Sequence, residues 1–147
     1  GSFQHAAGRS RPIPVKFDNR FDIVSGADSK GDTVYVDRRI PQFSRKLRDK
    51  SGKPANLWKY LGIHETYEAA AQARGFSYDR AHTKVATPME RRAVEADGIS
   101  WKAYSEEIDG YLDKIEQEKV TRPPPKGMHV DPEAAIGHHR HKHLAKY

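Results

Sequence analysis

The sequence contains no cysteine, which excludes three classes of site. Without thiols, the chain cannot form disulfide bonds, use a thiolate nucleophile or build a Cys-based zinc finger. Long apolar runs are also missing, because no stretch approaches the roughly 18 consecutive apolar residues that span a membrane. Residues 1–5 lack the apolar segment of a signal peptide. These absences predict a soluble, cytoplasmic protein with no membrane partner.

Positive charge is present but unevenly placed. The net charge is +6, of which residues 1–20 carry +3 and residues 119–147 carry +4, leaving −1 over 21–118. A nucleic-acid-binding module usually concentrates its positive charge on the folded face. The distribution therefore predicts solvated basic arms that make only weak, nonspecific contact with nucleic acid.

Two strands are predicted near the N-terminus. Apolar residues at Phe17 and over 21–24 mark the first strand. Residues 25–32 are rich in turn formers, and residues 33–37 alternate β-branched and aromatic side chains with others, as a strand does. The pair predicts a β-hairpin, followed by a charged loop over 46–54.

Two long helices are predicted from apolar spacing. After Asn56, side chains recur at spacings of three and four on one face: Leu57, Tyr60, Leu61, His64, Glu68 and Ala71. Gly75 is a natural C-cap for this helix, because glycine readily adopts the left-handed conformation. A last helix from about Ser100 has a second stripe: Trp101, Tyr104, Ile108, Leu112 and Ile115.

Two shorter helices are predicted between the long ones. Ser77 can cap a short helix that runs to residue 86. Thr87, Pro88 and Glu90 then fit the N-cap, N1 and N3 positions of a separate helix. In this interpretation Glu90 is the partner of Thr87 in a capping box.

Together these patterns predict an α+β domain over residues 15–118, with an N-terminal β-hairpin packed on three to four helices. Residues 1–14 are predicted to be a flexible lead-in, and residues 119–147 a Pro- and His-rich basic tail. Within the tail, residues 138–143 read His-His-Arg-His-Lys-His. This run could bind transition metals, but the lack of apolar partners favours a disordered basic segment.

The helical segment around His64 carries the chemistry. His64 and Glu68 are four residues apart, so their side chains emerge one turn apart on the same face. A carboxylate on an apolar face is costly unless it is compensated, and a divalent cation compensates it. Glu65 is rotated by about 100° from His64 and can reach a metal-bound water without being a ligand. The segment therefore predicts a metal site.

The segment His64-Glu65-Thr66-Tyr67-Glu68 resembles the His-Glu-x-x-His helix of zincin metallopeptidases, with glutamate in place of the second histidine. The chain is also similar to a group of small bacterial and phage proteins. They share the run over residues 36–41, together with His64, Glu65, Glu68, Tyr78, Ala81, His82 and Glu90. The zincin resemblance implies a zincin-like fold and a peptide or protein substrate. It also implies one divalent ion, zinc first and manganese or iron second, with Glu65 as general base.

A metal site needs a third protein ligand. His82 is the first candidate, because the turn at Gly75 returns the chain beside the preceding helix. Glu90 is the competitor, although its place in a capping box favours a structural role. The sequence thus predicts a metal-dependent hydrolase with ligands His64, Glu68 and His82. The alternative is a non-enzymatic, metal-stabilised interaction domain of a phage or mobile element, whose basic arms contact nucleic acid or a protein partner.

Overall fold

The computed structural model describes residues 16–18, 25–28, 33–118 and 128–129. Strands and helices are mixed, so the predicted α+β class is confirmed. Within the described ranges, no helix combines the length and hydropathy that a membrane crossing requires.

Four short strands form a sheet in the order β1-β3-β2-β6. They are β1 (Lys16–Asp18), β2 (Ser25–Asp28), β3 (Thr33–Val36) and β6 (Met128–His129). β1 pairs with β3 in parallel, while β2 pairs antiparallel with both β3 and β6. β6 therefore brings part of the predicted tail into the sheet.

The predicted hairpin is partly wrong in its boundaries. Ser25–Asp28 was expected to be a turn, but it is a strand in which Ala27 pairs with Val34. The turn propensity of its Ser, Gly and Asp residues yields here to backbone pairing with β3, since strand propensity depends on context. The predicted strand residues 21–24 lie outside the described residues.

A second hairpin replaces the predicted charged loop. β4 (Phe43–Arg48) and β5 (Pro54–Asn56) pair antiparallel. Asp49 organises the connection, because its Oδ1 accepts hydrogen bonds from the backbone N–H groups of Ser51 (2.9 Å) and Lys53 (3.1 Å). Residues 46–48 and 54 belong to these strands, so the prediction of a loop over 46–54 is wrong at both ends.

The two long helices are confirmed. α1 spans Leu57–Ala73, and the Asn56 side chain accepts a hydrogen bond from the Lys59 N–H at 3.1 Å. The chain leaves α1 at Gly75, whose φ of 99° is in the left-handed region. The last helix, Trp101–Glu118, is labelled α4, and its predicted apolar stripe is buried.

The two shorter helices are joined into one. α2 (Tyr78–Arg80) is capped by Ser77 as predicted and runs directly into a π-helix (Ala81–Ala86) and then α3 (Thr87–Ala96). The predicted N-cap at Thr87 is therefore wrong: this residue is helical, with φ −63° and ψ −44°.

Pro88 does not end this helix, and the π-helix supplies a physical reason. In a regular α-helix a proline ring clashes with the carbonyl group four residues earlier. Here the N–H of Thr87 bonds to the carbonyl oxygen of His82, five residues back. This wider turn lies immediately before Pro88 and relieves the clash. Thr87, Pro88 and Glu90 therefore have the residue types of a helix N-terminus although the helix continues through them.

The main apolar core lies between the strands, α1 and α4. Its most deeply buried large side chains are Val34, Val36, Ile40, Leu57, Tyr60, Tyr104, Ile108, Leu112 and Ile115. A smaller apolar cluster of Ile63, Tyr67 and Ala86 lies between α1 and the π-helix. Between these two clusters α1 carries buried polar side chains, and these form the candidate site.

Candidate metal centre

α1 presents His64 and Glu68 one turn apart, as predicted, and buries them more completely than an amphipathic helix would. Every residue from Tyr60 to Glu68 is buried, because the sheet covers one side of α1 and the π-helix and α3 cover another. His64 is 2% exposed and Glu68 is 7% exposed. Glu65 is also buried, which the helical pattern did not predict.

The π-helix brings His82 to the same place. His82 is fully buried, and its ring meets the His64 ring edge to face with centroids 4.6 Å apart. The Tyr78 ring stacks on the His82 ring, with centroids 5.4 Å apart. A π-helix within a longer helix is rare and is frequently found at functional sites.

Three side-chain atoms form a nearly equilateral triangle. The Nε2 atom of His64 lies 2.9 Å from Glu68 Oε2 and 3.0 Å from His82 Nδ1, and the latter two atoms are 2.9 Å apart. Three ligands about 2.1 Å from one ion would be about 3.4 Å apart in a tetrahedral site. At the same distance they would be about 3.0 Å apart on an octahedral face. The buried group could therefore hold a metal ion with small side-chain shifts.

Hydrogen bonds alone satisfy this triangle poorly while Glu68 is ionised. Each ring nitrogen carries either a proton or a lone pair, and a carboxylate only accepts. If both histidine nitrogens donate to Glu68, their N–H groups face each other across 3.0 Å. If either nitrogen is bare, its lone pair faces the carboxylate. A cation that receives all three lone pairs removes the conflict, so the donor set fits a metal.

Glu90 contacts Nδ1, the second ring nitrogen of His64. The prediction that Glu90 belongs to a capping box with Thr87 is therefore wrong. Its Oε1 lies 2.7 Å from His64 Nδ1, and its Oε2 accepts a hydrogen bond from the Tyr104 hydroxyl at 2.7 Å. Glu90 is 1% exposed and Tyr104 is fully buried. Because an ionised Glu90 only accepts, Nδ1 of His64 carries a proton and Nε2 is left to face the triangle.

The charges within the cluster shift its pKa values in opposite directions. Burial lowers the pKa of His64, but the carboxylates of Glu90 and Glu68 outweigh it and raise that pKa well above 6.5. Burial and the neighbouring His64 lower the pKa of His82. Although burial raises it, hydrogen bonds from both histidines lower the pKa of Glu68 to about 2. The carboxylate of Glu68 is therefore ionised near neutrality.

The structure places the predicted site residues as follows. His64, Glu68 and His82 meet in the triangle, and Glu90 stands behind His64. Glu65, the predicted general base, is 5% exposed and is adjacent to His64 in α1. The histidine-rich run over residues 138–143 lies outside the described residues. The ligand and base roles stay predictions.

Sequence reasoning missed Tyr104. It was assigned to the apolar stripe of α4, where its ring does pack edge to face against Tyr60 at 5.4 Å. One signal was available, because a buried tyrosine hydroxyl usually finds a hydrogen-bond partner. The partner, Glu90, is 14 residues away and could not be chosen from the sequence.

Comparisons with protein-family models, curated proteins and solved structures found no match to this chain. The site must therefore be interpreted from its own geometry.

Proposed function

We propose that this protein is a metal-dependent hydrolase, with peptide bonds as the preferred substrate and zinc as the preferred ion. The observation that carries the proposal is the triangle of His64 Nε2, Glu68 Oε2 and His82 Nδ1, with edges of 2.9–3.0 Å. Two imidazoles and one carboxylate are a ligand set that catalytic zinc sites use. Manganese or iron remains the alternative ion, since a carboxylate is a harder ligand.

Three protein ligands leave coordination positions open, which distinguishes catalytic from closed structural sites. When bound, the ion would polarise a carbonyl and lower the pKa of a water molecule. Glu65 would accept the proton of that water, since it follows His64 directly in α1. Glu90 would hold the His64 ring through Nδ1 and fix which nitrogen faces the ion.

The experiment measures metal content and hydrolysis on the full chain with the tail histidines replaced by alanine: His138, His139, His141 and His143. This background removes the competing tail run. We expect about one zinc ion per chain by mass spectrometry and none in His64→Ala. Glu65→Gln should keep the ion and lose hydrolysis of a casein or mixed-peptide substrate, because an amide cannot accept the proton. Hydrolysis that survives Glu65→Gln would refute the base assignment.

Burial favours a second candidate, a metal-stabilised interaction domain. His82 is fully buried and His64 is 2% exposed, so substrate has limited access to two of the three ligands. Such a domain would lose stability when the ion is removed, and Glu65→Gln would leave its metal content unchanged. A protein that binds one zinc tightly and hydrolyses no substrate would support this candidate over the hydrolase.

A further inference from the structure

A groove with an apolar floor lies beside the metal-site triangle. It is formed between the C-terminal half of α1 and the helix that contains the π-helix and α3, and it encloses about 260 Å³. Tyr67, Val85 and Met89 contribute to its floor. Tyr67 belongs to the smaller apolar cluster, and Val85 and Met89 pack against that cluster. Tyr67 immediately precedes Glu68, and Met89 immediately precedes Glu90, so the groove and the triangle share their supporting elements.

Three cations line the same groove, and none of the described residues lines it with an acidic side chain. They are Arg74, Lys84 and Arg92, and all three are exposed. Some other exposed cations do have carboxylate partners: Lys59 binds Asp97 at 3.0 Å and Arg91 binds Glu95 at 3.3 Å. Across the described ranges, no ion pair involves the three groove cations.

This combination complements an apolar group flanked by carboxylates. Like charges gathered around a low-dielectric surface attract counter-charged ligands from solution. The volume is smaller than the roughly 300–1,000 Å³ of sites for drug-sized molecules, so it suits one or two side chains of an extended segment.

The aromatic residues of the groove argue against nucleic acid as the occupant. Single-stranded nucleic acid binds by stacking bases on exposed aromatic faces. Tyr67 is only 5% exposed. The Phe76 ring is covered by the guanidinium group of Arg80, at 4.9 Å from its centroid. The cations remain available to carboxylates, whereas Tyr67 and the covered face of Phe76 offer little stacking surface to bases.

We propose that this groove binds an acidic peptide segment in which an apolar side chain is flanked by glutamate or aspartate. Its apolar side chain contacts Tyr67, Val85 and Met89, and its carboxylates contact Arg74, Lys84 and Arg92. Binding here needs no metal ion. It would give the proposed hydrolase a preference for acidic substrates, but it stands if hydrolysis fails.

The test measures fluorescence anisotropy of a labelled peptide, Gly-Glu-Leu-Glu-Leu-Glu-Gly, titrated with the full-length protein in EDTA at low salt. The groove variant combines Arg74→Gln, Lys84→Gln and Arg92→Gln. The matched control removes three equally exposed cations from β4, by Arg45→Gln, Lys46→Gln and Arg48→Gln. Both variants lose the same net charge, and circular dichroism checks that both fold.

We expect the groove variant to weaken peptide binding about tenfold, which corresponds to about 1.4 kcal/mol. The β4 control should change it less than about twofold. Replacing both peptide leucines by serine should weaken binding by a similar factor, and a Lys-for-Glu peptide should not bind. Raising the salt concentration should weaken binding, because exposed charges are screened.

Four outcomes would overturn the proposal. The first three are no detectable peptide binding, equal losses of affinity in the two protein variants, and equal affinities for the leucine and serine peptides. The fourth is that oligothymidine displaces the peptide and that its own binding is lost in the groove variant but kept in the β4 control. The last result would assign the groove to nucleic acid. Because EDTA is present throughout, peptide binding and the metal-dependent hydrolysis succeed or fail independently.

Discussion

Two regions of this molecule are equally buried and differ in chemistry. In the apolar core, Ile108 and Leu112 of α4 are 1% and 0% exposed, and in the candidate site Glu90 and His82 are 1% and 0% exposed. The core is stabilised by non-directional contacts that depend on volume. The site depends on protons, lone pairs and charges that must match in direction. Burial alone therefore does not say what a region contributes, and the two regions should respond differently to metal, truncation and pH.

The largest expected effect is stabilisation by the ion. In the chain without tail histidines, zinc at about 1,000 times its dissociation constant should raise the free energy of unfolding by about 4 kcal/mol. Urea unfolding with zinc and with EDTA measures the difference. His82→Ala should remove it, since only two of the three ligands remain. Full zinc stabilisation in His82→Ala would place the ion elsewhere.

The next largest effect should come from a substitution in the apolar core, and its size should not depend on zinc. Leu112→Ala leaves a cavity beneath α4 and should lower the free energy of unfolding by about 3 kcal/mol. The same urea experiment should give the same loss with zinc and with EDTA. A loss that depends on zinc would mean that the two regions are coupled, and the comparison would fail.

A smaller effect should follow from the contact behind His64. Glu90→Gln keeps an acceptor for Nδ1 but removes the charge, and should lower zinc affinity about tenfold to hundredfold. Competition with a fluorescent chelator measures the affinity. Glu95→Gln, on the exposed face of α3, is the matched control and should leave it unchanged. Equal zinc affinities of the wild type and Glu90→Gln would show that Glu90 does not act on the metal site through His64.

The smallest effect is the pH dependence of the metal-free protein. The pKa of His64 in the folded state is raised above the ordinary value of 6.5. The proton on His64 therefore stabilises the folded state fully below pH 6.5, and this stabilisation is lost as the pH rises through the folded-state pKa. Glu68, with a pKa of about 2, stays ionised throughout this window. The lowered pKa of His82 opposes the slope in part, because the unfolded chain holds the proton that folded His82 releases. Stability in EDTA should therefore fall by about 1 kcal/mol between pH 6.5 and 8.

With zinc present, the sign of this pH dependence should reverse. Metal binding requires the lone pair of His64 Nε2, so affinity rises as the proton leaves. Stability in zinc should increase over the same pH window, and His64→Ala should show neither slope. Parallel slopes with and without zinc would contradict coordination by His64.

The sequence predicted those parts of the fold that local chemistry determines. Asn56 and Gly75 delimit α1 because a side-chain acceptor and a left-handed residue are needed there. It also predicted that His64 and Glu68 share a face, since spacing on one helix fixes this. His82 was chosen by reach, and the structure places it in the triangle.

The failures have one physical cause, which is that pairing with other segments overrides local preference. Ser25–Asp28 has turn-forming residues but is held as a strand by β3. Thr87 and Glu90 have the spacing of a capping box, yet Glu90 bonds to residues 26 positions before it and 14 after it. Contacts of this range leave no periodic trace in a single sequence.

The π-helix makes the site sensitive to chain length as well as to residue type. Removing one residue between His82 and Pro88 would restore regular α-helical winding and turn His82 by about 100° relative to Glu90. The imidazole would then point away from His64 and Glu68, although every site residue would still be present. A homologous sequence could therefore retain all of these side chains and yet lose the centre through a single deletion. When relatives are aligned, the spacing between the histidine and the proline is as informative as the histidine itself.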